Sequence, residues 1–301
     1  MSATPASVEG AAANGIDHST ALGTVRLTVS DLDRSRLFYE QAIGLTATER
    51  DDGTLALGVP GDPALIELRG DTATPALNRR ATGLYHLAIL VPTRLDLAFA
   101  LGRLAVTRWP LDGASDHLVS EALYLSDPDG NGIEIYRDRP RADWPRADGQ
   151  LQMATTPLDL DDVLDELRAA PERQDQAPAG TRIGHVHLQV SDLAAAEAFY
   201  HGVLGFDVTV RGYPGALFVS AGGYHHHIGL NTWHSAGAEP PAAGAVGLRS
   251  FTIELPDADG LTGVSARIEA AGMRYERRPY GILVRDPSGT AVILTVARRR
   301  M

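Results

Sequence analysis

Hydrophobic and polar residues alternate along several short stretches of this chain, and one stretch sets the frame for the rest. Between His185 and Val190, Val186, Leu188 and Val190 fall on one side of an extended strand, with His185, His187 and Gln189 on the other. Ser191-Asp192 then supplies an N-cap signal. Ala194 to Val203 follows as a helix, with Phe199, Tyr200 and Val203 at core spacing, and Gly205 stops it. The same succession stands near the N-terminus. Gly23 to Leu32 matches Gly184 to Leu193, Phe38-Tyr39 matches Phe199-Tyr200, and Gly44 matches Gly205, all at one constant offset. The chain therefore contains an internal repeat. A second pair of units opens on Gly83-Leu-Tyr-His86 and Gly247-Leu-Arg-Ser250. These units close on Asp127-Pro-Asp-Gly-Asn-Gly-Ile-Glu134 and Asp286-Pro-Ser-Gly-Thr-Ala-Val-Ile293, each a turn followed by a last strand.

The pattern predicts an α+β protein of four units, at roughly 22–70, 83–138, 181–233 and 246–297. Each unit reads as a strand, a helix and several further strands. Residues 1–20 are expected to be disordered. Residues 21–138 carry the first two units and residues 181–301 the last two. Between them, 139–180 reads as a polar, proline-bearing linker. It holds a short amphipathic helix within 157–170, with Leu160, Val163, Leu164 and Leu167 on one face.

Composition narrows the functions available. At 301 residues and 44% apolar, the chain has the make-up of a soluble globular protein. A net charge of −11 argues against nucleic acid as partner. The basic run Arg298-Arg299-Arg300 reads as a solvated end. No apolar run approaches the ~20 residues of a membrane helix. The first residues lack a signal-peptide pattern, so a cytoplasmic location is expected. There is no cysteine, which excludes disulfides, thiolate metal sites and thiol nucleophiles. Any metal must be held by nitrogen and oxygen.

Histidine and carboxylate positions then become informative. His86 and His185 each head the first strand of a unit, where the other two units carry Thr24 and Ser250. Glu134 lies between Ile133 and Ile135 in a last strand, where the fourth unit has Ile293. A glutamate in an apolar strand is costly to bury unless it is paired or metal-bound. A lone strand histidine is ordinarily a hydrogen-bonded core or surface residue, but two at matching positions with a matching glutamate point to one metal site. Two histidines and a carboxylate form the facial triad of non-haem iron(II) oxygenases, which leaves positions open for substrate and dioxygen. The same donors also suit Mn, Co, Ni or Zn. His187, on the same strand face as His185, is the rival ligand. Gly222-Gly-Tyr-His-His-His-Ile-Gly places three histidines in a row after a glycine pair, which marks a bulge or a close backbone approach. Read as strand, it puts His225 and His227 on one face and His226 on the other, with a catalytic role expected for one of the three. His18, His201 and His234 carry no signal. Trp233, Tyr213, Tyr280 and Phe251 are candidates for shaping a pocket.

These motifs resemble the vicinal oxygen chelate superfamily, which includes glyoxalase I, fosfomycin-resistance proteins and extradiol dioxygenases. The segments around His86, from Val119 to Glu134 and from Ser220 to Trp233 resemble its bacterial catechol-2,3-dioxygenase branch. The resemblance implies βαβββ modules that form two open barrels with a metal inside. It implies metal ligands His86, Glu134 and His185, with Fe(II) as cofactor and Mn(II) as the alternative. It also implies an acid/base histidine, for which His226 fits the spacing best, and hydrogen-bond donors at Tyr124 and His117. His225, His227 and Trp233 are expected at the substrate. The implied reaction is meta-cleavage of a catechol by dioxygen, so the partners are a small aromatic diol and O2, with a homo-oligomer allowed. The alternatives are a glyoxalase-type isomerase, lyase or thiol transferase, or a drug-binding resistance protein. The ligands fall in the second and third units, so these two must pair with each other, and the first with the fourth. Pairing of the first with the second would instead bring Glu67 to His86 and Glu134, a poor set for iron.

Overall fold

The computed structural model describes residues 15–70, 73–147, 150–168, 170 and 174–297. Most of the stretch expected to be disordered, and the terminal arginine run, lie outside these residues. Residues 15–20 depart from that expectation. Ile16 is buried, and its N–H donates to the carbonyl of Gly205 (2.8 Å), which ties this segment to the third unit. An apolar side chain with a cavity to fill overrides the polar character of its neighbours.

The first unit runs β1 (Ala21–Val29), α1 (Leu32–Phe38), β2 (Thr46–Glu49), β3 (Leu55–Gly58) and β4 (Ile66–Gly70). The second runs β5 (Gly83–Leu90), α2 (Arg94–Thr107), β6 (Gly113–Asp116), β7 (Ser120–Ser126) and β8 (Gly132–Asp138). The linker adds three two-residue strands, β9 (Arg146–Ala147), β10 (Gln150–Leu151) and β11 (Thr156–Pro157), then α3 (Leu160–Arg168). The third unit comprises β12 (Arg182–Gln189), α4 (Leu193–Glu197), β13 (Asp207–Val210), β14 (Ala216–Ser220) and β15 (Ile228–Asn231). The fourth comprises β16 (Gly247–Leu255), α5 (Ala258–Ala270), β17 (Tyr275–Arg278), β18 (Gly281–Arg285) and β19 (Ala291–Val296).

Pairing follows the inner-with-inner arrangement. One sheet has the order β17-β18-β19-β16-β1-β4-β3-β2 and joins the fourth unit to the first. The other has the order β11-β6-β7-β8-β5-β12-β15-β14-β13 and joins the second to the third. In each, two first strands meet antiparallel at the centre, and each lies parallel to the last strand of its own unit. The two halves of the sequence are thus interleaved, with each open barrel built from one unit of each half.

Local chemistry explains the joints. The carboxylates of Asp31 and Asp192 cap α1 and α4 by accepting from the N–H groups of Arg34 and Ala195. Asp127 holds its turn by accepting from the N–H groups of Asp129 and Asn131. The repeat also fastens barrel to barrel. The Ser30 N–H donates to Asp129 and the Tyr39 hydroxyl to Asp127, while Ser191 N–H donates to Ser288 and the Tyr200 hydroxyl to Asp286. On α3, Val163 is fully buried, with Leu160, Leu164 and Leu167 against the same core, so the linker helix completes the apolar interior. Two acids of α3, Asp162 and Glu166, meet Arg94, which also pairs with Glu121 of β7.

Candidate metal centre and its cavity

The antiparallel junction of β5 and β12 aligns His86 opposite His187 and Ala88 opposite His185. In the parallel neighbour β8, Glu134 lies beside Ala88. This register brings three buried side chains to one point. The Nε2 atoms of His86 and His185 each lie 3.0 Å from Oε2 of Glu134, and the three donor atoms fall within 4.8 Å of one another. The His86 Nε2 has no hydrogen-bond partner. Burial alone would raise the Glu134 carboxyl, but the His185 and His86 imidazoles hold it well below the usual range. Burial pushes His185 down to about 4. An ionised carboxylate and an unprotonated His185 imidazole are what a divalent ion requires. The fit is supported by the donor set and by the buried His86 nitrogen left without a partner. His187 is not part of this trio, although its ring centroid is 5.0 Å from that of His86.

The trio opens into a cavity of about 510 Å³. On the His86 side, Tyr124 stands opposite Glu134 across the β7–β8 pair. His117 accepts from the Tyr124 hydroxyl through Nε2 (2.6 Å), because its Nδ1–H is committed to the carbonyl of Ala154 (2.8 Å). Burial, and then the charge of Glu134, hold the Tyr124 phenol well above its ordinary range, so it remains a donor.

On the His185 side lies the histidine run. The chain here is not a strand. Gly222 and Gly223 both take left-handed backbone angles, and β15 begins only after the run. Strand parity therefore does not separate the three rings. Of them, His226 lines the cavity, with its ring centroid 4.1 Å from that of His185. His225 and His227, expected at the substrate, do not line it. His225 is fully buried behind His226, where its Nε2–H donates to Asp138 (2.9 Å). His227 turns the other way, to the Ser220 hydroxyl and the Ala221 N–H.

Proton positions in this chain of contacts follow from the acceptors. The Asp138 carboxylate only accepts, so His225 carries its proton on Nε2 and presents a bare Nδ1. The Nδ1–H of His226 donates to it (2.8 Å), which leaves Nε2 of His226 as the free base. Asp138 also accepts from the Tyr224 hydroxyl, which in turn accepts from Tyr136 (2.7 Å). Sequence reasoning missed Asp138. Its signal was the alternation of Glu134, Tyr136 and Asp138 on one face of β8.

Trp233 lines the cavity, with Tyr85, Tyr213 and Phe218, and His187 lies among them. The ring of His187 has its room because position 229 is glycine: a Cβ there would lie 2.9 Å from its Cγ. Tyr280 is exposed and Phe251 sits fully buried in the core; neither reaches the cavity.

Residues 15–135 and 182–294 match the model of the Glyoxalase/Bleomycin resistance protein/Dioxygenase superfamily. Over 285 residues the chain is 46% identical to the catechol-2,3-dioxygenase of Bacillus subtilis, an alignment that spans 93% of this chain and 99% of that protein. Among solved structures, glyoxalase I from Zea mays superposes with a TM-score of 0.57 at 16% identity, covering 92% of both chains. The CppA protein of Streptococcus pneumoniae gives 0.53 at 13% identity, covering 94% of this chain and 99% of that one. At such identities these two likenesses speak to fold alone.

Proposed function

The chain belongs to the glyoxalase/bleomycin resistance protein/dioxygenase superfamily, and from that premise we propose that it is an extradiol dioxygenase that cleaves a catechol with O2. The observation that carries this reading is the His86–Glu134–His185 trio flanked, in one cavity, by the free base of His226 and the donor Tyr124. A divalent ion held by the trio, with iron(II) first and manganese(II) second, would supply Lewis acidity and open positions for a diol and dioxygen.

The remaining work belongs to the chain's own residues. His226, its Nδ1–H held by His225, takes a proton from a substrate hydroxyl at Nε2 and returns one later. Asp138 keeps His225 in the tautomer that makes this exchange available. Tyr124, its phenol kept protonated, turns its O–H from His117 Nε2, to which it donates in this structure, toward oxygen that gains charge. Aromatic side chains on the third unit and on β5 exclude water from the ring being opened. Both atoms of dioxygen enter the product, a ring-opened hydroxymuconic semialdehyde, and the electrons come from the diol, so no external reductant is required.

The test is to load the protein anaerobically with iron(II), add catechol, and follow oxygen uptake together with the yellow ring-fission product. Stoichiometric uptake with product is expected. Retained metal with no oxygen consumption across a panel of catechols sinks the proposal and favours a non-redox, glyoxalase-type reaction.

A further inference from the structure

The cavity is far larger than the reaction needs, and its walls differ in character. Catechol's ring and two oxygens, even at ~30 Å³ per non-hydrogen atom, the share of a water molecule in the liquid, fill less than half of the 510 Å³. A volume of this size suits a ligand well beyond a single ring. The wall made by β6, β7 and the linker carries the polar side chains of Ser115, Ser120 and Thr155 beside His117.

The opposite wall is aromatic and continuous. From the ligand His86 it runs to Tyr85 (centroids 5.4 Å apart), to Trp233 (5.3 Å), to Tyr213 (6.4 Å), to Phe218 (6.0 Å) and to His226 (5.1 Å). His187 sits inside this circuit, 5.2 Å from Tyr85 and 5.4 Å from Trp233. Three of the few large apolar side chains that the described residues expose are gathered here: Tyr85 at 37%, Trp233 at 39% and Tyr213 at 40%. Their exposure is not slack. The Trp233 indole N–H donates to the carbonyl of Pro214 (2.9 Å), and its ring lies against Gly215, where a Cβ would approach to 3.0 Å. A rigid, exposed aromatic surface that continues a metal-ligand trio is a preformed platform for a flat apolar group.

We propose that the preferred substrate is a catechol bearing an aryl substituent, with the diol at the trio and the second ring on Tyr85, Trp233 and Tyr213. This deepens the dioxygenase reading and rests on it. The aryl ring fills the volume a lone catechol leaves open, and it replaces water on faces already ordered.

The experiment compares catechol, 3-phenylcatechol and 4-phenylcatechol on the iron-loaded enzyme, by kcat/KM from oxygen uptake and by anaerobic calorimetric Kd. One of the two phenylcatechols should exceed catechol by about tenfold or more in both measures. In W233A, and separately in Y213A, that ratio should fall to within about threefold of unity while metal content holds. Two exchanges on an exposed wall guard against one variant failing to fold. The proposal is overturned if catechol is cleaved as well as both phenylcatechols, or if the aryl preference survives both variants. Absence of oxygen uptake with all three diols would instead overturn the dioxygenase reading, and this one with it.

Discussion

Asp138 touches neither the trio nor the cavity, yet the geometry gives it control over His226. Replacing it with alanine removes the anion that fixes the His225 tautomer (Nε2 to Oδ1, 2.9 Å). A hydrogen bond to a charged acceptor contributes about 1.5–3 kcal/mol. Without it, His225 is free to carry its proton on Nδ1, where it faces the Nδ1–H of His226 at 2.8 Å and forces that ring to present the wrong nitrogen. A bias of that size corresponds to a loss of about 10- to 100-fold in kcat, with KM changed little. The oxygen electrode reads kcat and KM, and metal analysis confirms that the trio is intact. Asp138→Asn retains an acceptor oxygen and should recover most of the loss. Tyr224→Phe removes a different hydrogen bond to the same carboxylate (3.0 Å), so it should lower stability by about 1 kcal/mol and spare kcat. If D138A keeps kcat within about threefold of wild type, or loses metal in step with activity, the tautomer argument is refuted.

Four further outcomes follow from the same geometry. Glu134→Gln, His86→Gln and His185→Gln should each abolish stoichiometric iron(II) binding, whereas His187→Gln should retain it, as read by metal analysis after anaerobic loading. Metal at about 100 times its Kd should stabilise the wild type by roughly 2.7 kcal/mol in denaturant melts, and E134Q should show none of this gain. Tyr124→Phe, which removes a donor beside the trio, should reduce kcat by about 10²-fold or more with metal content unchanged. Gly229→Ala places a methyl 2.9 Å from the His187 ring and should cost about 1–3 kcal/mol, a penalty that His187→Ala in the same chain should relieve.

Much of this was legible in the sequence because the fold is repetitive. A repeat fixes which residues share a structural position without any knowledge of contacts, and so it singled out His86, His185 and Glu134 against Thr24, Ser250 and Ile293. Their chemistry then dictated the pairing of units, since only the second with the third unites two imidazoles with the carboxylate, and the strand order agrees. The histidine run was read less well for a physical reason. Alternation holds only in extended backbone, and two glycines with left-handed angles turn the chain just before His225, so each ring's direction is set by its partner: Asp138 for His225, Ser220 for His227. The aromatic wall was equally hard to foresee. Tyr85, Tyr213 and Trp233 come from three separate segments, and no periodicity links them.

The outer barrel shows why register alone does not make a site. Within its own unit, Glu67 pairs with Arg26 as Glu134 pairs with Ala88 and Gly229 with His187, so the repeat places all three at one structural position. In the inner barrel the neighbours of that position are imidazoles, and the carboxylate faces His86 and His185 at 3.0 Å. In the outer barrel they are guanidiniums. Glu67 meets Arg26 at 2.7 Å and Arg50 at 2.5 Å, and Arg26 reaches on to Thr252 of the fourth unit. A carboxylate there is satisfied by fixed cations and has no need of a mobile one. At the remaining inner position, glycine removes the carboxylate altogether and gives its space to His187. The fold thus repeats one register position in all four units, and only Glu67 and Glu134 place a carboxylate there, with Gly229 and Ile293 in the other two. Between those two carboxylates it is the neighbouring side chains, guanidinium or imidazole, that confine the metal-binding geometry to one.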